Sequence, residues 1–182
     1  PGNYVARQVS RWSKQYRASE TDNIEAMNNL IEWLPKNIPD DDETTIVHGD
    51  YRLDNMILRN NEVIGILDWE LSTLGHPIAD FSYHCLSWRT QEAFWDEAKL
   101  KELGIPSEKE YMEMYCKYSG KDLSKNWEFY MAFNMFKIAG ILQGILGRVR
   151  DGTAASKHAE ERGNMVFPLS QAAWETIEDN FL

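Results

Sequence analysis

Val5, Val9, Trp12 and Tyr16 recur at steps of four, three and four residues. That spacing lines one face of a helix from Tyr4 to about Ala18. A second helix is predicted to start at Asp22, with Glu25 three residues on in the manner of a capping box. It turns Ile24, Met27, Leu30, Ile31 and Leu34 inward and stops before Pro35. The acidic run from Pro39 to Glu43, with Asp40, Asp41 and Asp42, reads as a solvated loop.

The period then changes from helical to alternating. Thr44 to Val47 is short and β-branched, Asn55 to Leu58 is short and apolar, and Asn60-Asn61 is a turn signal leading into a third β-like run from Val63 to Trp69. Beyond Pro77 helical patterns return at Ile78–Trp88 and Ser107–Tyr118. They continue in a long stretch from about Ser124 to Val149 and at roughly Pro168–Ile177. Phe129, Tyr130, Phe133 and Phe136 fall at helical spacing and are expected in the core. No repeat, low-complexity tract or linker divides the sequence. The expectation is one domain over 1–182, of α+β class and mostly helical, with a small β-hairpin patch.

Composition narrows the function classes. With 182 residues, 43% hydrophobic, the chain is long enough to bury a core. A net charge of −10 argues against nucleic acid or an anionic membrane as partner, since both call for a basic face. Cys85 and Cys116 stand far apart without metal-ligand spacing, which suits a reducing cytoplasm. No apolar run is expected to span a bilayer. The sequence opens Pro1-Gly2-Asn3 without Met and reads as a fragment of something longer.

Candidate chemistry concentrates in His48-Gly49-Asp50-Tyr51-Arg52-Leu53-Asp54-Asn55 and in Ile66-Leu67-Asp68-Trp69-Glu70. Phosphoryl transfer to a hydroxyl requires a carboxylate to orient the acceptor and take its proton, with Mg²⁺ to screen the phosphates. Mg²⁺ takes hard oxygen ligands and keeps several waters, so one carboxylate and one amide oxygen suffice from the protein. A loop after a strand offers Asp50 and Asn55 to one small volume, and the strand delivered by Asn60-Asn61 ends at Asp68 beside them. The order H-x-D-x(4)-N, then an apolar strand ending in Asp, is that of kinase catalytic and metal-binding loops.

The string VHGDYRLDNMIL followed by VIGILDWELSTLGHPIADFSY resembles the aminoglycoside-phosphotransferase and choline-kinase-like family. The likeness is closest to kinase-like domains found alone in bacteria or fused to acyl-CoA dehydrogenases. PGNYVARQVSRWSKQYRA and FKIAGILQGILGR resemble that subgroup too, so most of the chain is covered. The resemblance implies the C-terminal lobe of a protein-kinase-like fold, with ATP as co-substrate, Mg²⁺ as cofactor and a small-molecule hydroxyl as acceptor, a hydroxyacyl compound in this subgroup. It implies Asp50 as catalytic base, Asn55 and Asp68 as Mg²⁺ ligands, His48 as an architectural loop histidine and Asp80 as a buried aspartate that hydrogen-bonds the catalytic loop. Arg52 stands where protein kinases carry a phosphate-contacting lysine, and a guanidinium there binds either the γ-phosphate or an anionic acceptor. The family commonly has Gly-Asp-Pro where this chain has Gly75-His76-Pro77.

Glu70 is open between a helix-start acid, a partner of the metal ligands and a substrate contact. Arg89 and Arg148 are candidates to line an acceptor pocket, against the plainer alternative that they face water. No G-x-G-x-x-G and no strand lysine precede His48. The nucleotide-binding lobe is therefore expected outside this chain. Two rivals remain at this stage: a non-catalytic kinase-like binding module, and a metal-dependent phosphohydrolase built on His48, Asp50 and Asp68.

Overall fold

The computed structural model describes residues 3–40, 43–90, 97–153 and 158–182. Pro1, Gly2, Asp41 and Asp42, which the sequence reading included, lie outside them. Helix α1 (Tyr4–Ser19) buries Val5, Val9, Trp12 and Tyr16. Helix α2 (Glu25–Trp33) starts three residues later than expected and has no side-chain cap. Ile24 explains the shift, because its side chain is drawn into the core from an extended backbone. Asn23 Oδ1 accepts instead from the side chain of Asn28.

The strands form two antiparallel pairs where a single hairpin patch was expected. β1 (Thr45–Val47) pairs with β4 (Thr73–Gly75), and β2 (Met56–Arg59) pairs with β3 (Glu62–Ile66). Asn60 and Asn61 both have positive φ, 51° and 63°, as a two-residue hairpin turn demands. β3 ends at Ile66 rather than running to Trp69. Asp68 adopts a left-handed backbone (φ 62°, ψ 56°), and Trp69–Leu71 is a single 3₁₀ turn that swings the chain back into β4.

Helices α3 (Pro77–Cys85), α4 (Ser87–Thr90), α5 (Glu97–Glu102), α6 (Glu108–Ser119), α7 (Trp127–Arg150), α8 (Ala159–Gly163) and α9 (Val166–Phe181) follow. α7 is the central post, against which α9, α1, α8 and α3 pack. It buries Phe129, Tyr130, Phe133 and Phe136. By length and composition α7 would suffice to cross a membrane, which corrects the expectation that no such run exists, but 67% of the stretch is buried inside the fold. His76 caps α3, its Nδ1 accepting from Ile78 N–H at 3.3 Å while its ring stacks on Tyr130.

Candidate active site

The loop after β1 is fixed by its own backbone. Gly49 has φ +87°, and a Cβ on it would lie 2.7 Å from the carbonyl oxygen of Leu71. Glycine is therefore required on both conformational and steric grounds. Asp80, expected to be buried, is half-buried near the start of α3, and it accepts from the backbone N–H of His48 through Oδ2 and from Gly49 N–H through Oδ1 at 2.8 Å. On the next peptide, Lys137 of α7 donates to the Gly49 carbonyl at 3.1 Å. Burial lowers the lysine pKa, and the charges of Asp80 and Asp50 offset only part of that.

His48 is buried and joins this loop to the next. The carbonyl of Leu67 lies 2.7 Å from Nε2, and the Asp50 N–H lies 3.3 Å from Nδ1. A carbonyl only accepts and an amide N–H only donates, so the ring is the neutral tautomer protonated at Nε2. The two loops are also tied by Leu67 N–H donating to the Asn55 carbonyl at 2.8 Å. Asp68 is thus the residue following a backbone bond to Asn55, and its side chain is exposed.

Asp50 is engaged at both carboxylate oxygens. Asn55 Nδ2 donates to Oδ2 at 3.1 Å and to the Asp50 backbone carbonyl at 2.9 Å. The Tyr83 hydroxyl donates to Oδ1 at 2.9 Å. Asn55 is nearly fully buried, and with its nitrogen committed, its side-chain oxygen is the atom left for a cation. Arg52 Nε lies 3.5 Å from Asp50 Oδ2 and 3.6 Å from Asp54, with about half of the side chain exposed. Burial, then the hydrogen bond to Asp50 and its charge, raise the pKa of Tyr83 far above the ordinary tyrosine range.

Arg52 and Tyr83, two partners of this carboxylate, line a cavity of about 470 Å³ together with Asp54, His84, Trp88 and Ile138. Burial lowers the His84 pKa, against the effect of a hydrogen bond to the Tyr51 backbone, so the wall is mainly neutral and apolar.

The three residues offered as substrate contacts are not gathered here. Arg89 is turned away into ion pairs, with Nε donating to Glu108 at 2.8 Å and Nη1 to Glu128 at 2.6 Å. Burial opposes its charge, but the two carboxylates outweigh it and raise the pKa further. Its neighbours Trp88 and Thr90 line the cavity, so Arg89 braces a wall without facing it. Arg148 is exposed and lies about 16 Å along α7 from Lys137, at 1.5 Å per residue. Glu70 is exposed in the first turn of the 3₁₀ helix and does not line the cavity. Tyr83 and Lys137 were not singled out from the sequence. The signals were there: Tyr83 sits one helical turn after Asp80, and Lys137 is a cation within the apolar run of α7.

The family model for the phosphotransferase enzyme family matches residues 1–115. Mouse acyl-CoA dehydrogenase family member 10 is 45% identical over 96% of this chain, which spans 17% of that protein. Human acyl-CoA dehydrogenase family member 11 is 40% identical over 98% of this chain, here 24% of its length. A crystal structure of a candidate aminoglycoside phosphotransferase from Ralstonia eutropha JMP134 superposes with a TM-score of 0.92 at 48% identity. It covers all of this chain, which spans 57% of that one.

Proposed function

This chain belongs to the phosphotransferase enzyme family, and from that premise we propose that it forms the metal- and acceptor-holding lobe of an ATP-dependent small-molecule kinase. The observation that carries this reading is Asp50. Its carboxylate is held by Asn55 and Tyr83, and Tyr83 in turn lines a cavity large enough for a small acceptor. In the reaction, an acceptor hydroxyl attacks the γ-phosphorus, its proton passes to Asp50, and the bond to the β–γ bridging oxygen breaks to release ADP. Arg52 steadies phosphate charge from the cavity mouth.

The donors present fit Mg²⁺, because the Asn55 oxygen and the exposed Asp68 carboxylate are both hard ligands. When bound, the ion neutralises phosphate charge. His48 and the Leu67–Asn55 backbone bond keep the two ligand-bearing loops in register. The apolar cavity walls favour an acceptor with a hydrocarbon portion, such as a hydroxyacyl compound, over a polycationic one. Free Cys85 and Cys116 suit the reducing cytoplasm, where ATP is abundant.

A metabolite-library kinase screen on the intact protein tests this assignment. Consumption of ATP is expected with a hydroxylated acyl compound. Binding of Mg-ATP with no phosphorylation of any hydroxyl acceptor would overturn it.

We place the nucleotide lobe outside these residues, since helices and not a glycine-rich loop precede β1. Ile46 on β1 (70% exposed), Leu58 on β2 (59%) and Leu67 just past β3 (50%) are exposed apolar residues where that lobe would dock. The 182-residue chain alone is expected to fold on its helical core, to phosphorylate nothing and to bind ATP at millimolar affinity or weaker by calorimetry. Mg²⁺ gives up its waters reluctantly and relies on nucleotide phosphates to complete its site. Micromolar ATP binding by this chain would show that the nucleotide grip lies within it.

A further inference from the structure

Asp50 can act as a base only if its carboxylate points at the acceptor, and a side chain with two rotatable bonds needs something to hold it there. Asn55 holds Oδ2, but it does so from within the loop that carries Asp50 itself. The grip on Oδ1 comes from another element, through the Tyr83 hydroxyl on α3 at 2.9 Å. Tyr83 also lines the cavity, so Oδ1 is tied directly to a residue of the cavity wall. The phenol is itself braced, because the Lys137 ammonium sits 4.6 Å from the centre of its ring and donates to the Gly49 carbonyl. One cation on α7 thus fixes the backbone before Asp50 and the ring that binds its side chain.

We propose that Tyr83 is a positioning residue for phosphoryl transfer, aiming Asp50 Oδ1 at an acceptor in the adjoining cavity, with Lys137 holding Tyr83 and Gly49 in register. This rests on the assignment of Asp50 as the base. The hydroxyl donates one hydrogen bond to Oδ1 and leaves that oxygen a second lone pair for the acceptor proton. Tyr83 forms no bond to phosphorus and transfers no proton.

A double-mutant cycle on the intact protein tests the inference, with Mg-ATP as substrate, water as acceptor and phosphate release as readout. Tyr83→Phe keeps the ring and the lysine contact and removes only the hydroxyl. It is expected to lower kcat about tenfold to a hundredfold with KM for ATP unchanged, as loss of base alignment does. In an Asp50→Asn background the same change is expected to add nothing, since two residues acting as one unit are not additive. A general structural defect would instead multiply with Asp50→Asn. The contact is also read without turnover, by ¹³C NMR titration of labelled tyrosine. Asp50→Asn removes the charge that favours the protonated phenol, so Tyr83 is expected to ionise at lower pH than in the native protein, though burial still holds it high. Unchanged kcat in Tyr83→Phe, additive losses in the cycle, or a Tyr83 titration indifferent to Asp50→Asn would each overturn the inference. Unchanged phosphate release in Asp50→Asn would instead sink the assignment of the base on which it rests.

Discussion

Replacing Asp50 by Asn in the intact protein is expected to lower turnover by about 10²–10⁴, the contribution of a positioned general base, while leaving Mg-nucleotide binding nearly intact. Asparagine preserves the shape of the side chain and an oxygen for the Tyr83 hydroxyl, but the amide cannot take a proton from the acceptor. Asp68→Asn is expected to behave differently. Asp68 is exposed on a left-handed residue just past the strand and makes no hydrogen bond that shapes the loop among those described. Neutralising it removes a ligand charge and weakens Mg-nucleotide binding, so the loss appears first in KM for Mg-ATP and is partly relieved by excess Mg²⁺. Steady-state kinetics with calorimetric binding of Mg-ATP distinguish the two. Equal losses of nucleotide affinity in both variants would contradict the division of labour between base and metal ligand.

The helical frame was legible because burial follows a strict period. The four residues of α1 that recur at three- and four-residue steps are the four it buries, and the aromatic set on α7 is likewise core. The second helix was misjudged for a local reason. A cap at Asp22 requires the backbone to enter the helix there, and burial of Ile24 holds it extended for two residues more. β4 was missed because three residues carry no period. Thr73–Gly75 becomes a strand only by pairing with Thr45–Val47, almost thirty positions earlier. The candidate site divides along the same line. Asp50, Asn55 and Asp68 lie in short local motifs whose spacing is chemistry, and β2 and β3 bring them near one another through a two-residue turn. Tyr83 reaches Asp50 from α3, more than thirty residues away, and Lys137 reaches Gly49 from α7, more than eighty away. Their geometry depends on how those helices pack, which no local pattern encodes. Arg89 shows the converse, since two glutamates claim its guanidinium and it does not line the cavity beside Tyr83.

Asp80→Ala is expected to cost both stability and activity, and by more than its distance from the acceptor suggests. The carboxylate accepts two backbone N–H groups, from His48 and Gly49, on the peptides that set the direction of Asp50. Hydrogen bonds to a charged acceptor contribute about 1.5–3 kcal/mol each. Asp80 is only half-buried, so water replaces part of the loss and a total of about 2–4 kcal/mol is the better expectation. For a chain of this size that corresponds to a fall in Tm of roughly 5–15 °C. The consequence for turnover is larger. Gly49 is held at φ +87° against Leu71 with its N–H on Asp80 and its carbonyl on Lys137. With the carboxylate gone, the N–H groups of His48 and Gly49 lose their acceptor, and the peptide that follows is held only by Lys137 on its carbonyl and His48 Nδ1 on its N–H. A shift of about 1 Å at the base is sufficient for a loss on the order of 10² in kcat. Asp80→Asn retains one acceptor oxygen and is expected to fall between the two in both melting temperature and turnover. Thermal denaturation of the 182-residue chain gives the first quantity and phosphate release by the intact protein the second. Native-like melting in Asp80→Ala would mean that the loop is held by its own turn and by His48, and that the carboxylate on α3 does not anchor it.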